Sequence, residues 1–379
     1  MMTVAAAQLR TEGLGDEITG DQREDTDMAM KFAKWRGVGW MIAVLCGAMQ
    51  TGPANAATCT TQSQMMPADR NELASTARAL LTQVQTNNIQ LLRNNVIPTL
   101  AANFDGIVSS VGHLQPLVQA SAITVNELYM LDASSQSAVA TQIDFYCGSP
   151  VVAFSFPALP AGVYALAMVR ATGVPHPQQI SLVLSKAADG RWLLAGLFDR
   201  PMTEAGHDGL WYWVTARRFA QTKMGWNAWF YYRVATNLLD PVDFLSSPNL
   251  EKLQHEANQI RPTDVPGKGP ITFYAQGQLI TVTAMDTSTE LGGLDLDVHY
   301  MPDGTQAAQL RDPVAARGQV TAVMSTLLKM HPELQHAFHG IWVHADQGAA
   351  SLFALEIPMD QIAGASTSRP AVPAYTVLP

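Results

Sequence analysis

The sequence lacks what several large classes of protein require. Basic residues are few, with 23 Lys and Arg against 32 Asp and Glu, so no basic surface is available to neutralise phosphates and nucleic-acid binding is not expected. No apolar run reaches the roughly 18 residues that a transmembrane helix needs. Hydrophobic residues make up 47% and charged residues 15% of the chain, which excludes a disordered protein. What remains is an acidic, globular protein.

Several catalytic motifs are also missing. The sequence has no Gly-x-Ser-x-Gly elbow, no phosphate-binding glycine loop ahead of a Lys-Ser/Thr pair, no Cys-x-x-Cys and no dinucleotide-binding glycine set. The sequence therefore predicts no cofactor and assigns no reaction.

Residues 1–56 are predicted to be a non-native start followed by a secretory signal peptide. The apolar stretch Val38–Met49 follows three basic residues, is 12 residues long and precedes the small residues Ala54–Ala56. This stretch is too short to span a bilayer and has the length of a cleaved hydrophobic region. A short buried helix is the alternative. We expect a periplasmic or secreted protein whose mature chain begins at Ala57, with a translation start later than Met1.

The use of cysteine agrees with export. Of the three cysteines, Cys46 lies inside the predicted signal, which leaves Cys59 and Cys147 as a pair in a chain bound for an oxidising compartment. Closing a loop of about ninety residues would be worth about 4 to 5 kcal/mol in the chain-entropy model. Two independent thiols are the alternative.

Residues 65–205 are predicted to form an α+β domain. The apolar spacing from Asp69 to Val84 indicates an amphipathic helix with Asp69 as its cap. Short segments rich in β-branched and aromatic residues follow, and they indicate an antiparallel sheet. The predicted strands are 123–131, 142–146, 151–156, 163–172, 180–186 and 192–198.

The closing hairpin carries a resemblance. It runs Lys186-Ala-Ala-Asp-Gly-Arg-Trp-Leu-Leu-Ala-Gly196, with Asp189-Gly190 at the turn. With helices first and antiparallel strands afterwards, residues 65–201 resemble the cystatin-like, or nuclear-transport-factor-like, domains. The resemblance implies a cone-shaped helix-plus-sheet domain whose concave face can house a ligand or an active site.

Residues 206–260 are predicted to be helical. Large and small side chains alternate on the faces of two helices around a turn at Thr222–Gly225, and this order resembles a single tetratricopeptide-like hairpin. One repeat cannot bury its own face, so we expect the hairpin to pack on the preceding domain, with 250–260 as a third helix. The face residues are Tyr212, Ala216, Phe219, Ala228, Tyr232 and Ala235.

The rest of the chain divides into three segments. Residues 261–270, with three prolines and two glycines, are predicted to be a linker. Residues 271–360 are predicted to form a ββαββ domain, whose helix begins at Asp312 and Pro313. Residues 361–379 are predicted to be a disordered tail.

One face of the C-terminal sheet is a candidate metal site. Strand alternation puts Asp295, Asp297 and His299 on one face of a strand, and it puts Trp342, His344 and Asp346 on one face of a later strand. If those faces coincide, the imidazoles and carboxylates would suit a borderline or hard divalent metal. The alternative is an ordinary solvated sheet face.

Two further groups of residues are candidates for binding a ligand or a partner. His336 and His339, close to His331, are three residues apart and could share a helix face, but they lack the spacing of a zinc-protease helix. Aromatic residues are densest between 211 and 231, where they either pack in the core or form a partner surface. The tryptophans of that candidate surface are Trp211, Trp213, Trp226 and Trp229.

These features together favour an exported, non-enzymatic protein that binds or scaffolds another protein. The alternative is a small-molecule-binding protein or enzyme that uses the cavity of the first domain and can hold a metal at the C-terminal sheet. A filled apolar interior would favour the first hypothesis, and a deep pocket with a buried carboxylate or histidine would favour the second.

Overall fold

The computed structural model describes residues 57–136, 141–148, 151–290 and 292–362. This part of the chain has an α+β fold. The predicted signal peptide and start, and residues 363–379 of the predicted tail, lie outside the described residues. Within the described ranges, no helix is long and apolar enough to cross a membrane.

Four helices form the first layer. They are α1 (Pro67–Gln85), α2 (Ile89–Arg93), α3 (Pro98–Ala102) and α4 (Asp105–Val118). Helix α1 begins earlier than predicted, because Pro67 takes the first helical position, where a missing N–H costs nothing. Asp69 therefore lies in the first turn rather than at the cap. The predicted apolar stripe of α1 is buried, with no residue more than 3% exposed.

The second layer is a five-stranded antiparallel sheet. It contains β1 (Thr58–Thr61), β2 (Ala122–Asp132), β5 (Val163–Thr172), β6 (Gln178–Lys186) and β7 (Trp192–Pro201), in that spatial order. Apolar side chains of α1 and α4 pack on one face of this sheet. All six predicted strands of this part of the chain are present, and β1 is additional.

A small second sheet covers the opposite face. It is formed by β3 (Gln142–Cys147), β4 (Val152–Pro157) and the short strand β10 (Leu245–Ser246), in the order β10-β4-β3. The disulfide Cys59–Cys147, with Cα atoms 5.2 Å apart, ties this sheet to β1. The predicted pairing of the two cysteines is confirmed.

The helical segment follows a two-strand hairpin of β8 (Thr203–Glu204) and β9 (His207–Asp208). Helices α5 (Gly209–Gln221) and α6 (Gly225–Leu239) lie against each other, and α7 (Pro248–Ile260) packs on α6. All six predicted face residues are buried, at 8% exposure or less.

The helical segment shares its core with the C-terminal sheet rather than with the first domain alone. One continuous apolar cluster extends from Tyr212 to Ile362. Helix α6 is apolar almost all round, and Phe230 and Tyr231 contact the ring of Phe338. A helix of this kind needs cover on every side, which explains the difference from the expected packing. The predicted linker 261–270 also contributes to this core, with Val265 5% exposed.

The C-terminal sheet has one strand more than predicted. Gln276 and Gly277, with φ of 49° and 80°, make a tight turn inside the segment expected to be one strand. The order is therefore βββααββ rather than ββαββ, because a short helix, Gly304–Gln309, also precedes the predicted helix. The elements are β11 (Ile271–Ala275), β12 (Gln278–Ser288), β13 (Asp295–Met301), α8 (Gly304–Gln309), α9 (Pro313–Met330), β14 (Gly340–Gln347) and β15 (Ala350–Pro358).

Helix α9 covers one face of this sheet and leaves the opposite face to the polar residues. Asp312 caps it as predicted, and its Oδ1 accepts from the N–H groups of Val314 and Ala315 at 2.8 and 3.2 Å. The helix packs on β11, β14 and β15. Its crossover makes β13 and β14 parallel neighbours in the order β11-β12-β13-β14-β15. The polar residues of β13 and β14 alternate with the buried ones and occupy the opposite face.

Candidate metal centre on the C-terminal sheet

The predicted polar faces of β13 and β14 coincide. His299 lies directly opposite His344, and Asp297 lies opposite Trp342, across the parallel pair. Their neighbours in the strands, such as Val298 and Val343, are fully buried on the helix side. Strand alternation and strand pairing therefore bring the two histidines and Asp297 to one place.

The three side chains present one ligand atom each within 4.8 Å of one another. His299 Nε2 is 3.3 Å from Asp297 Oδ2, and His344 Nε2 is 3.2 Å from Asp297 Oδ1. The two imidazole rings are stacked, with centroids 4.5 Å apart. Metal–ligand bonds of about 2.0–2.1 Å at tetrahedral angles would put ligand atoms roughly 3.3–3.4 Å apart, close to the two observed separations.

Two of these atoms are buried without a hydrogen bond. His344 Nε2 and Asp297 Oδ1 are 3.2 Å apart, within ion-pair distance when His344 is protonated, but neither atom has a hydrogen bond of good geometry to a described residue. Buried polar atoms are nearly always paired, and leaving one unpaired costs about 1–3 kcal/mol. A bound cation would satisfy both atoms.

Asp346 holds His299 in position. Asp346 Oδ2 lies 2.6 Å from His299 Nδ1, and Ser351 Oγ donates to Asp346 Oδ1 at 2.7 Å. This leaves Nε2 of His299 directed at Asp297. A carboxylate on the far nitrogen of a histidine is the usual support of a metal-ligating imidazole.

The charges of the cluster favour an anionic ligand oxygen. Burial raises the pKa of Asp297, but its contacts with His299 and His344 outweigh burial and lower the pKa to about 2. The hydrogen bond with Asp297 raises the pKa of His299 to about 9, against burial and with help from Asp346. Asp297 is therefore ionised at neutral pH, and a metal ion would displace a proton from His299.

Asp295 lies on the same face but belongs to a different cluster. Its Oδ1 is 2.9 Å from His339 Nδ1, and Glu356 of β15 is close to both. His339 and Glu356 are not among the residues predicted for the metal face. Strand alternation along β15 could have placed Glu356 on this face, because Glu356 lies opposite Trp342.

The other histidines of that segment do not come together. His336 ends a 3₁₀ helix, Pro332–His336, and is exposed, whereas His339 lies beyond its end. His331 stacks on Trp226 with centroids 3.8 Å apart, and its Nε2 is 3.3 Å from Asp264 Oδ2. The shared helix face considered for His336 and His339 is therefore not formed.

The dense aromatic run packs mainly in the core. Trp213, Trp226 and Trp229 are 8%, 4% and 8% exposed, and only Trp211 is half-buried. The buried indole of Trp213 donates to Glu256 at 2.7 Å, so its polar atom is satisfied inside the protein. The packing alternative therefore accounts for three of the four tryptophans.

Among the described residues, the interior of the first domain is mainly apolar, and Gln83 and Ser181 are buried polar exceptions. The cluster between α1, α4 and the five-stranded sheet consists of hydrophobic side chains, including Leu73, Leu114 and Leu182. At its edge, burial raises the pKa of Asp199, against the attraction of His113.

Comparison with models of protein families, with curated proteins and with solved structures gave no match to this chain. The chemistry of its own residues is therefore the basis for a functional proposal.

Proposed function

We propose that this is an exported, non-enzymatic protein that binds a borderline divalent metal ion through Asp297, His299 and His344. The observation that carries the proposal is the pair of buried atoms, His344 Nε2 and Asp297 Oδ1, that lie 3.2 Å apart without a hydrogen bond. Two imidazole nitrogens and one carboxylate oxygen suit ions such as Zn²⁺.

Export and the finer fold belong to the same proposal. The Cys59–Cys147 disulfide supports an oxidising compartment, because such bonds are rare in the cytosol. Helix α1 across an antiparallel sheet supports the cystatin-like resemblance of the first domain, and the α5–α6 pair supports the tetratricopeptide-like one. The apolar interior of the first domain supports a role without catalysis there.

Calorimetric titration with Zn²⁺, after removal of metal by a chelator, tests the metal proposal. Wild-type protein should show a binding event that His344→Asn abolishes, because Asn cannot replace the imidazole nitrogen. At a free concentration of one hundred times Kd, zinc should raise the free energy of unfolding by about 2.7 kcal/mol. His176→Asn, in an exposed loop, is the matched control and should bind zinc as the wild type does.

Absence of zinc binding by the wild type would overturn the proposal. Equal binding by His344→Asn and by wild type would do the same. Circular dichroism must show that both variants retain the wild-type fold.

Protein binding is the second candidate, and the exposed side of α5 favours it. Leu210 and Val214 are 59% and 56% exposed beside the half-buried Trp211, and surface aromatics are enriched at contact hot spots. Leu210→Asp with Val214→Asp should abolish co-purification of a protein partner from the native host. Val108→Asp on α4, at a position 40% exposed, should leave it intact, and retention by the α5 variant would refute this role.

A further inference from the structure

A second group of ligand-type side chains lies beside the first on the same sheet. Asp295 begins β13, His339 immediately precedes β14, and Glu356 faces Trp342 from β15. One ligand atom from each lies within 4.8 Å of the others. His339 Nδ1 is 2.9 Å from Asp295 Oδ1 and 3.9 Å from Glu356 Oε1. Three separate segments of the chain therefore converge on one point.

The carboxylates of this group are buried and incompletely paired. The Asp295 side chain is 1% exposed, and that of Glu356 is 12% exposed. Asp295 Oδ2 and Glu356 Oε1 have no hydrogen-bond donor among the described residues. Removing a carboxylate from water without full compensation is unfavourable. His339 is the one imidazole of the group, so two acidic side chains share at most one cation.

Two glycines make room for this convergence. A Cβ atom at Gly340 would collide with Glu356 Oε1 and lie 3.0 Å from Asp295 Oδ1. A Cβ atom at Gly293 would collide with the ring of His339. Any side chain at position 340 would therefore occupy the space between the two carboxylates.

The two carboxylates repel each other across this space, because Glu356 and Asp295 both lie beside the single imidazole of His339. A divalent cation between the two oxygens would offset this repulsion.

We propose that Asp295, His339 and Glu356 form a second divalent-cation site, separate from the site of Asp297, His299 and His344 and harder in its preference. Two carboxylates and one imidazole suit Mn²⁺ better than do the two imidazoles and one carboxylate of the first site. Asp295 and Asp297 are two residues apart on one strand, a separation of about 6.6 Å, so each ion has its own carboxylate ligands. This proposal uses different ligands and stands independently of the first.

Titration of the purified, metal-stripped full chain with Mn²⁺ tests the second site. The electron paramagnetic resonance signal of the free ion measures how much Mn²⁺ remains unbound. Glu356→Gln keeps the shape of the side chain but removes its charge, and it should raise the Kd for Mn²⁺ about tenfold or more. His339→Gln, at a side chain 40% exposed, should do the same if Glu356→Gln does not fold. His344→Asn and His176→Asn should leave Mn²⁺ binding within about twofold of the wild type.

The second site would be overturned if the wild type did not bind Mn²⁺. It would also be overturned if folded Glu356→Gln and His339→Gln bound Mn²⁺ as tightly as the wild type does. Loss of Mn²⁺ binding in His344→Asn would also overturn it, because the ion would then belong to the first site. Failure of the first site alone leaves a different result, in which zinc binding does not respond to His344→Asn while Mn²⁺ binding still responds to Glu356→Gln.

Discussion

Removal of the disulfide should strongly destabilise the first domain. Cys59 lies on the edge strand β1, and Cys147 ends β3 of the small sheet, so the bond links the two sheets at one edge. The cysteines are 88 residues apart in the sequence. For a loop of this length, the chain-entropy model predicts that Cys59→Ala with Cys147→Ala lowers the free energy of unfolding by about 4 to 5 kcal/mol.

That loss is a large fraction of the roughly 5–15 kcal/mol by which native domains are stable. The entropic part of this loss is an upper value, because residual structure in the reduced unfolded chain decreases the entropy gained. Cys147 is also 1% exposed in an apolar cluster, so Ala at this position leaves a small cavity that adds to the loss.

Guanidinium unfolding followed by far-UV circular dichroism measures the effect. Wild type with reductant and the double variant without it should both shift to lower midpoints, and the double variant should lie slightly lower because of its cavity. Each single variant should be about as unstable as the double variant, because breaking the bond once removes the constraint. A change below about 1 kcal/mol in all of these would refute the reasoning, as would free thiols in the unreduced wild type.

Two other substitutions give separate tests. Asp346→Ala should weaken zinc binding about tenfold or more in calorimetry while keeping the stoichiometry, because His299 loses the carboxylate that orients it; an unchanged Kd would argue against this support. Burial, with repulsion from Asp243, raises the pKa of Asp240 to about 6, above that of the unfolded chain. The wild type therefore loses stability as pH rises from about 4 to about 6. Asp240→Asn should unfold in urea with about 1–2 kcal/mol more stability at pH 7.5 and with no gain at pH 4; an equal gain at both pH values would contradict the assignment.

Features that depend on neighbouring residues could be predicted from the sequence. Asp312 followed by Pro313 specifies the start of α9 locally, and the alternation of polar and apolar residues in β13 specifies which side chains share a face. The cysteine pair is the other example, since only two cysteines follow the predicted signal. The turn at Gln276-Gly277 is also local, but apolar residues continue on both sides of it, so the pattern predicts a single strand there.

Features that depend on distant parts of the chain could not be predicted. The parallel pairing of β13 with β14 requires a crossover through α8 and α9, and the sequence does not state which strands become neighbours. The proposed second cation site combines His339 and Glu356 with Asp295, which precedes both of them by more than forty residues. Apolar residues on nearly all sides of α6 indicate that the helix is buried, but they do not show what covers it. The sequence predicts packing on the preceding domain, whereas the shared core includes Phe338 and the C-terminal sheet.

The continuous core from Tyr212 to Ile362 has a consequence for how this protein could be divided or recombined. A gene fragment limited to the C-terminal sheet would expose the apolar surface that α6 covers, and a fragment limited to the helices would lose the ring of Phe338. The smallest part of this half that keeps its core covered is therefore the helices and the sheet together. Fusion boundaries should be placed before β8, near residue 202, because Glu204 bonds to Tyr212 and Asn237 and Ala205 packs on this core. The proline-rich stretch at 261–270 is not a suitable boundary.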